Sequence, residues 1–430
     1  MDLRTVKVKL WGSTIGYLHR QDNGLIGFQY DENFLSSGIE VSPIKMPLSD
    51  LTYSFPALPE ETFSGLPGML ADSLPDKFGN IVIKSYLENH GRTEDSLTVL
   101  EKLCYTGQRG MGALEYEPST NIVNIDETVN IDALTKLASD ILSEREKLHM
   151  EYDDNMIAQL MQGSSSVGGA RAKTLIALNP ETNEIRSGQI NASKGFEYWL
   201  LKFDDISNNK DKDKKPDSKE YTKIEYAYYL MAKASGIKIS ECRLYKENGR
   251  SHFMTKRFDR KGVKREKLHM QSLCAIAHMD FNSPRMYSYE DAFNVMRKLK
   301  LPYEDFIQLY KRMLFNEIAK NYDDHTKNIA FLMDKKGVWR LSPAYDITFS
   351  YSKRSMWVNS HQMLINGKAD KITKDDLISV AKKAGIKISE AEKCIREIKN
   401  SVSKWDEFAK EAGLSLKTSE KIKHFFNESI

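Results

Sequence analysis

The chain has 430 residues, room for two or three domains' worth of core. With 40% hydrophobic and 29% charged residues it reads as a soluble globular protein, not a disordered or membrane-embedded one. A formal net charge of +3 is too small to imply nucleic-acid binding by itself, and no long apolar run or basic-plus-apolar leader points to a membrane span or export.

Residues 1 to about 60 read as strands and turns. Val6 to Trp11 alternates apolar with polar, and Leu25 to Tyr30 follows a polar turn at Gln21 to Gly24. Residues 65 to about 105 turn helical and loop-rich, and Ile131 to Lys147 has the spacing of an amphipathic helix. A boundary near 150 divides this N-terminal part, 1–150, from a second region, 151–260. The sheet of the second region is expected to hold Leu175 to Leu178, Trp199 to Phe203, Cys242 to Tyr245 and Phe253 to Lys256. Lys223 to Gly236 is a strong helix with Gly236 as its natural stop. Asp204 to Glu220 has almost nothing apolar and is expected to be a loop. The third region, 261–430, reads as mostly helical, and the lysine run of Lys371 to His424 as a solvated face. Cys104, Cys242, Cys274 and Cys394 are scattered without metal spacing, as expected of reduced, buried thiols in a cytoplasmic protein.

The segment from Asn321 to Asn328, followed by Pro343 to Asp346, carries the chemistry. Asp323 stands five residues before Asn328, and Asp346 eighteen residues after it. Phosphoryl transfer from ATP uses such a set: one carboxylate takes the proton of the attacking hydroxyl, while an amide and a second carboxylate hold magnesium on the phosphates. Alone, the Asp-x-x-x-x-Asn spacing is also what a polar turn after a helix gives. Its surroundings favour the kinase reading. Phe306 to Lys320 has helical periodicity, Asn328 to Met333 reads as a buried strand, and Asp334 to Gly337 as a turn. Val338 to Leu341 is the return strand, so a hairpin brings Asp346 back toward Asn328.

Upstream, Lys202 interrupts the apolar run Tyr198 to Phe203. It is either a phosphate-binding lysine or an edge-strand lysine in water, since an unpaired lysine inside a strand is costly. Glu225 is either its partner or an exposed first-turn glutamate. Gly163 to Thr174 is rich in small residues that let backbone N–H groups approach phosphate, although it matches no standard phosphate-loop spacing. His325 and Lys327 are candidates for neutralising phosphoryl charge, or a loop histidine and a solvated lysine.

Taken in order, these segments resemble the HipA-type serine/threonine kinases, the toxin half of bacterial toxin–antitoxin pairs. The likeness runs through Gly65 to Gly79, Gly107 to Leu114, Ser166 to Thr174, Arg257 to Arg260, Asp323 to Asn328 and Pro343 to Asp346. It implies an α/β (α+β), two-lobed protein-kinase-like fold with an N-terminal β-rich accessory subdomain, a nucleotide-binding lobe and a helical catalytic C-lobe. By resemblance Asp323 is the catalytic base, with His325 and Lys327 beside it, and Asn328 and Asp346 bind Mg2+. ATP is expected to meet Ser166, Val167, Gly168, Gly169, Lys202, Lys256, Phe258 and Tyr345, with backbone near Thr255 to Phe258 as the adenine hinge. Ser166 matches the serine that the family phosphorylates on itself to switch the kinase off; Ser164 and Ser165 adjoin it. A phosphoserine there competes with ATP phosphates for one place.

The chain departs from ordinary protein kinases: no His-Arg-Asp or Asp-Phe-Gly stands at the matching positions, and Lys256 precedes Arg257 where an acidic residue is expected. The resemblance further implies growth arrest and persistence through phosphorylation of a translation factor, glutamyl-tRNA synthetase being the family's best-known target. It also implies capture by a small helix-turn-helix antitoxin like HipB, which alone would touch operator DNA, and no membrane. Two rivals stand: a catalytically dispensable co-repressor scaffold for the antitoxin, and a small-molecule kinase of the same fold. A pure scaffold has no need of Lys202, Asp323, Asn328 and Asp346 together.

Overall fold

The structure is a computed structural model that describes residues 3–93, 96–119, 128–143, 156–157, 160, 171–188, 195–206, 220–262 and 266–426. Ser164, Ser165, Ser166, Val167, Gly168 and Gly169 lie outside the described residues, as does most of the polar segment 204–220.

The N-terminal sheet is antiparallel, with strands β1 (Thr5–Leu10), β2 (Ser13–Arg20), β3 (Ile26–Tyr30), β4 (Thr52–Tyr53) and β5 (Leu114–Glu117) in the order β4-β3-β2-β1-β5. Alternation in β1 puts Val6, Val8 and Leu10 inside and the intervening threonine and lysines outward. Strand β2 carries two adjacent buried residues, Ile15 and Gly16, which blurs its alternation and hides it from a period-2 reading.

A second antiparallel sheet holds β6 (Lys173–Leu178), β7 (Ile185–Ser187), β8 (Glu197–Lys202), β9 (Cys242–Glu247) and β10 (Arg250–Lys256), ordered β7-β6-β8-β10-β9. All four strands expected there from sequence are present. Its register sets Lys173 opposite Lys202, and Lys202 opposite Phe253. The helix Tyr221–Ala234 packs across this sheet and buries Ile224, Glu225, Ala227, Tyr228 and Met231.

A short pair, β11 (Arg260–Lys261) and β12 (Glu266–Lys267), leads into a three-stranded sheet of β13 (His269–Ser272), β14 (Ala330–Met333) and β15 (Trp339–Leu341). The expected hairpin is β14–β15; β13, a strand on its far side, has a mixed sequence that gives no strand signal. The helix Tyr303–Ile318 precedes the Asn321–Asn328 segment, and helices Lys374–Ala384, Ile388–Val402, Trp405–Glu411 and Leu416–Lys423 complete a mostly helical lobe.

Among the described residues two large apolar cores form, with two clusters of three residues each besides. The larger joins the N-terminal sheet to the helical lobe, from Val8 and Phe28 to Met313 and Trp405. The smaller packs Phe78, Val82, Leu134 and Leu137 of the N-terminal 150 residues against Ile176, Trp199, Leu201 and Met254. The first region therefore supplies part of the wall of the second sheet. Gly68 shows why one N-terminal motif is glycine-rich. A Cβ there would lie 2.3 Å from the Ala275 carbonyl oxygen, so only glycine lets its helix touch the Leu273–Ala277 helix. Among the described residues the cysteines are free and buried, and no helix is long and apolar enough to cross a membrane.

Candidate active site

Lys202 ends β8 at the mouth between the second sheet and the helical lobe. Its Nζ lies 2.7 Å from Glu225 Oε1 and 2.5 Å from Asp346 Oδ1. Burial pulls the ammonium down, but Asp346 and Glu225 together outweigh it and hold the group above the ordinary lysine value. For Asp346 burial acts upward, and Lys202 overrides it and keeps the carboxyl well below the usual range. Glu225 is 2% exposed, and there burial wins over Lys202 and raises the carboxyl. Asp346 has a left-handed backbone, φ 54°, uncommon for a non-glycine residue and typical of sites where geometry is imposed by function.

Lys173 answers to the same physical rule. Its side chain is 1% exposed and its Nζ lies 2.7 Å from Asp76 Oδ2. Here one carboxylate is not enough: burial leaves Lys173 below, and Asp76 above, its ordinary value. Asp76 also caps the Lys77–Asn89 helix through Gly79 N, so the N-terminal region reaches the second sheet at Lys173.

The Asn321–Asn328 segment separates its two adjacent acids. The Asp323 side chain is 42% exposed and faces His325 Nε2 at 3.9 Å. Its main-chain oxygen accepts from Asn328 Nδ2 at 2.8 Å, closing the five-residue loop. Asp324 is buried and fully occupied: Tyr289 Oη, Gln362 N and His361 Nδ1 lie 2.8, 2.8 and 2.6 Å from its oxygens. His361 Nε2 is 2.8 Å from Glu317 Oε2 on the preceding helix. Burial pulls the His361 ring down, but Asp324 and Glu317 outweigh it and push the imidazolium up to about 9.

Asn328 and Asp346 line one small cavity together with Tyr345 and Asp324. Tyr345 Oη donates to Lys327 O at 2.7 Å and its ring stacks on Phe258 at 5.6 Å, tying the segment after β10 to the Asp323–Asn328 loop. The Lys327 ammonium lies over the Phe281 ring at 5.2 Å, and His325 tilts against the same ring at 5.4 Å with its Nδ1 buried and unpartnered. The Lys256 amine turns instead to Glu197 Oε1 at 2.5 Å and Glu241 at 3.3 Å. Its N–H donates to Glu241 O and its carbonyl accepts from Ser240 Oγ. Lys202, Glu225, Asp346, Asn328 and the Asp323 loop therefore converge, while the Lys256 side chain is taken up by Glu197 at the start of β8 and Glu241 just before β9.

Two distant motifs also meet. Asp259 accepts from Arg257, Arg260 and Gly112 N, while Arg257 and Arg260 donate to the carbonyls of Gly110 and Gly112 at 3.0 Å. Sequence reading passed over the buried Lys173–Asp76 pair, although Lys173 opens an apolar strand just as Lys202 closes one. It also passed over Glu317, His361 and Gln362, which no local pattern marks.

A model of the HipA-like C-terminal domain matches residues 165–405, more than half of the chain, and one of the HipA N-terminal domain matches residues 6–117. The chain belongs to the HipA family. Among solved structures, HipA from Shewanella oneidensis MR-1, in complex with HipB and its operator DNA, superposes with a TM-score of 0.67 at 15% identity over 97% of this chain and 94% of that one. The shared fold is thus that of HipA, mixed α/β and kinase-like, as the sequence predicts. The Helicobacter pylori proinflammatory kinase CtkA aligns over 54% of this chain and 88% of its own at 10% identity, with a TM-score of 0.32 too low to argue from. No curated protein matches the chain.

Proposed function

We propose that this HipA-family protein is a serine/threonine kinase that uses ATP and magnesium and acts as the toxin of a toxin–antitoxin pair. The observation that carries the reading is the buried Lys202 held between Glu225 and Asp346, beside the loop of Asp323 and Asn328. A lysine fixed by a helix glutamate is arranged to meet phosphate oxygens. The donor set of one carboxylate and one amide suits magnesium, which takes its remaining oxygens from phosphates and water. Magnesium there would neutralise the charge of the β- and γ-phosphates.

Asp323, half-exposed, is placed to accept the proton of an acceptor hydroxyl as that oxygen bonds to the γ-phosphorus and the bond to the departing ADP oxygen breaks. Lys202 would fix the phosphates, Phe258 and Tyr345 form an aromatic wall next to the proposed hinge, and Lys327 and His325, both against Phe281, are the proposed partners of developing charge. Autophosphorylation at Ser166, with Ser164 and Ser165 as neighbours, is the proposed off-switch. The proposed cellular role is growth arrest and persistence through a phosphorylated translation factor, with glutamyl-tRNA synthetase as first candidate, in the cytoplasm. The relative crystallised with HipB and operator DNA supports a small HipB-like antitoxin as partner, with DNA reached through it.

The test is transfer of label from γ-labelled ATP to the protein, with magnesium and with chelator, beside Ser166→Ala. Label that needs magnesium and falls sharply in Ser166→Ala supports the reading. Label without growth arrest on expression would favour the scaffold or a small-molecule acceptor instead.

A further inference from the structure

We infer that Gln362 is a positioning residue for phosphoryl transfer: its side-chain amide, carried on a segment pinned by His361, holds the Asp323 carboxylate in place as base. The inference rests on the kinase reading above and assigns a function to a residue outside every motif in this chain.

Gln362 Nε2 donates to Asp323 Oδ1 at 2.5 Å. Gln362 itself has little freedom. Its N–H donates to Asp324 Oδ1 at 2.8 Å and its carbonyl accepts from Arg285 N at 2.7 Å. The preceding residue, His361, is clamped between Asp324 and Glu317, lies tilted against Tyr322 at 4.2 Å, and donates its N–H to Ala369 O at 2.9 Å. The amide is therefore presented from a fixed backbone, while Asn328 holds the main chain of Asp323 from the other side.

The energetics favour a functional reason for the glutamine. Gln362 is 4% exposed and its Oε1 is buried without a partner, a desolvation cost that an apolar side chain would avoid. The bond that offsets this goes to a carboxylate 42% exposed, which water can solvate unaided. Stability alone does not call for a buried donor here. Fixing one oxygen of a half-exposed base does, because a catalytic base acts only when held within hydrogen-bond reach of the proton it takes.

The test compares Gln362→Met, which keeps length and removes the donor, with Gln362→Glu, which sets a second carboxylate against Asp323. Wild type and Asp323→Ala run alongside. Autophosphorylation with γ-labelled ATP and magnesium is followed as maximal rate and as the ATP concentration giving half that rate, with melting temperature on the same samples. Gln362→Met is expected to lower the maximal rate roughly tenfold or more, with half-saturating ATP within about twofold of wild type, and Gln362→Glu to be slower still. Wild-type rates in Gln362→Met, with Asp323→Ala inactive, would overturn the inference and leave the kinase reading standing. Loss of rate, ATP response and melting temperature together in both variants would overturn it in favour of a structural role. A wild type that transfers no label would remove the kinase reading and this inference with it.

Discussion

Lys202 meets Asp346 across 144 residues of sequence, Nζ to Oδ1 at 2.5 Å. The lysine ends β8 in the sheet and the aspartate follows the β14–β15 hairpin in the helical lobe, so the pair closes the seam between the two. Glu225 is buried beside the lysine, while the Asp346 side chain is 33% exposed, so water reaches the group from the Asp346 side.

Lys202→Met is expected to cut phosphoryl transfer by about 100-fold or more, through loss of the phosphate contact. It should also cost about 3–5 kcal/mol of stability, because Glu225 loses the only cation within hydrogen-bond distance of it among the described residues. Urea unfolding beside the activity assay reads both. A Lys202→Met protein as stable as wild type would show that Glu225 is neutral and needs no cation.

Asp259→Ala is expected to be among the most destabilising single changes in the chain. It leaves Arg257 and Arg260 buried without their carboxylate and frees Gly112 N, for a cost of about 3–5 kcal/mol. The loss should first loosen the 107–114 segment, since Asp259 accepts from Gly112 N and orients the two arginines that donate to the Gly110 and Gly112 carbonyls. Hydrogen exchange of residues 107–114 in the variant checks this directly.

The His361 ring gives stability a pH dependence of definite sign. Its folded value of about 9 lies above the ordinary 6.5, so folding favours the protonated ring. The contribution, on the order of 3 kcal/mol, is complete below pH 6.5 and is lost as pH rises through 9. The urea midpoint of the wild type should fall between pH 6.5 and 9.5. His361→Asn should start lower and show a flatter profile over that window.

Asp324→Asn separates the two adjacent acids. Asp324 touches no expected reacting group but accepts from Tyr289, His361 and Gln362 N, so its replacement should lower stability by about 1–3 kcal/mol and activity only through the loosened loop. Melting temperature and label transfer measured together distinguish this from the loss of a base.

Much of the site was legible in the sequence because its parts obey local rules. The lysine in an apolar strand, the five-residue Asp–Asn spacing and the hairpin after it are each visible within a window of about twenty residues. Lys202 with Glu225 was one of two open readings, and the observed pair decides it. What stayed hidden depends on contacts far apart in sequence. Gln362 follows Asp323 by 39 residues and sits in irregular chain, so nothing in its neighbours marks it. Asp76 and Lys173, 97 residues apart, become a pair only when the Lys77–Asn89 helix docks on the second sheet. Strand β13 escaped because its residues, His269 to Ser272, gain strand geometry from pairing with β14 rather than from their own propensity.

The most direct measurement is label transfer from γ-labelled ATP in the presence of magnesium by wild type and by Asp323→Ala, both checked for folding by a cooperative melting transition. Asp323 is half-exposed, so the variant should keep the fold, with a small drop in melting temperature from the Gln362 amide it leaves unpaired, and carry no label above background. Equal labelling of wild type and Asp323→Ala would contradict Asp323 as the base and, with it, the proposed mechanism.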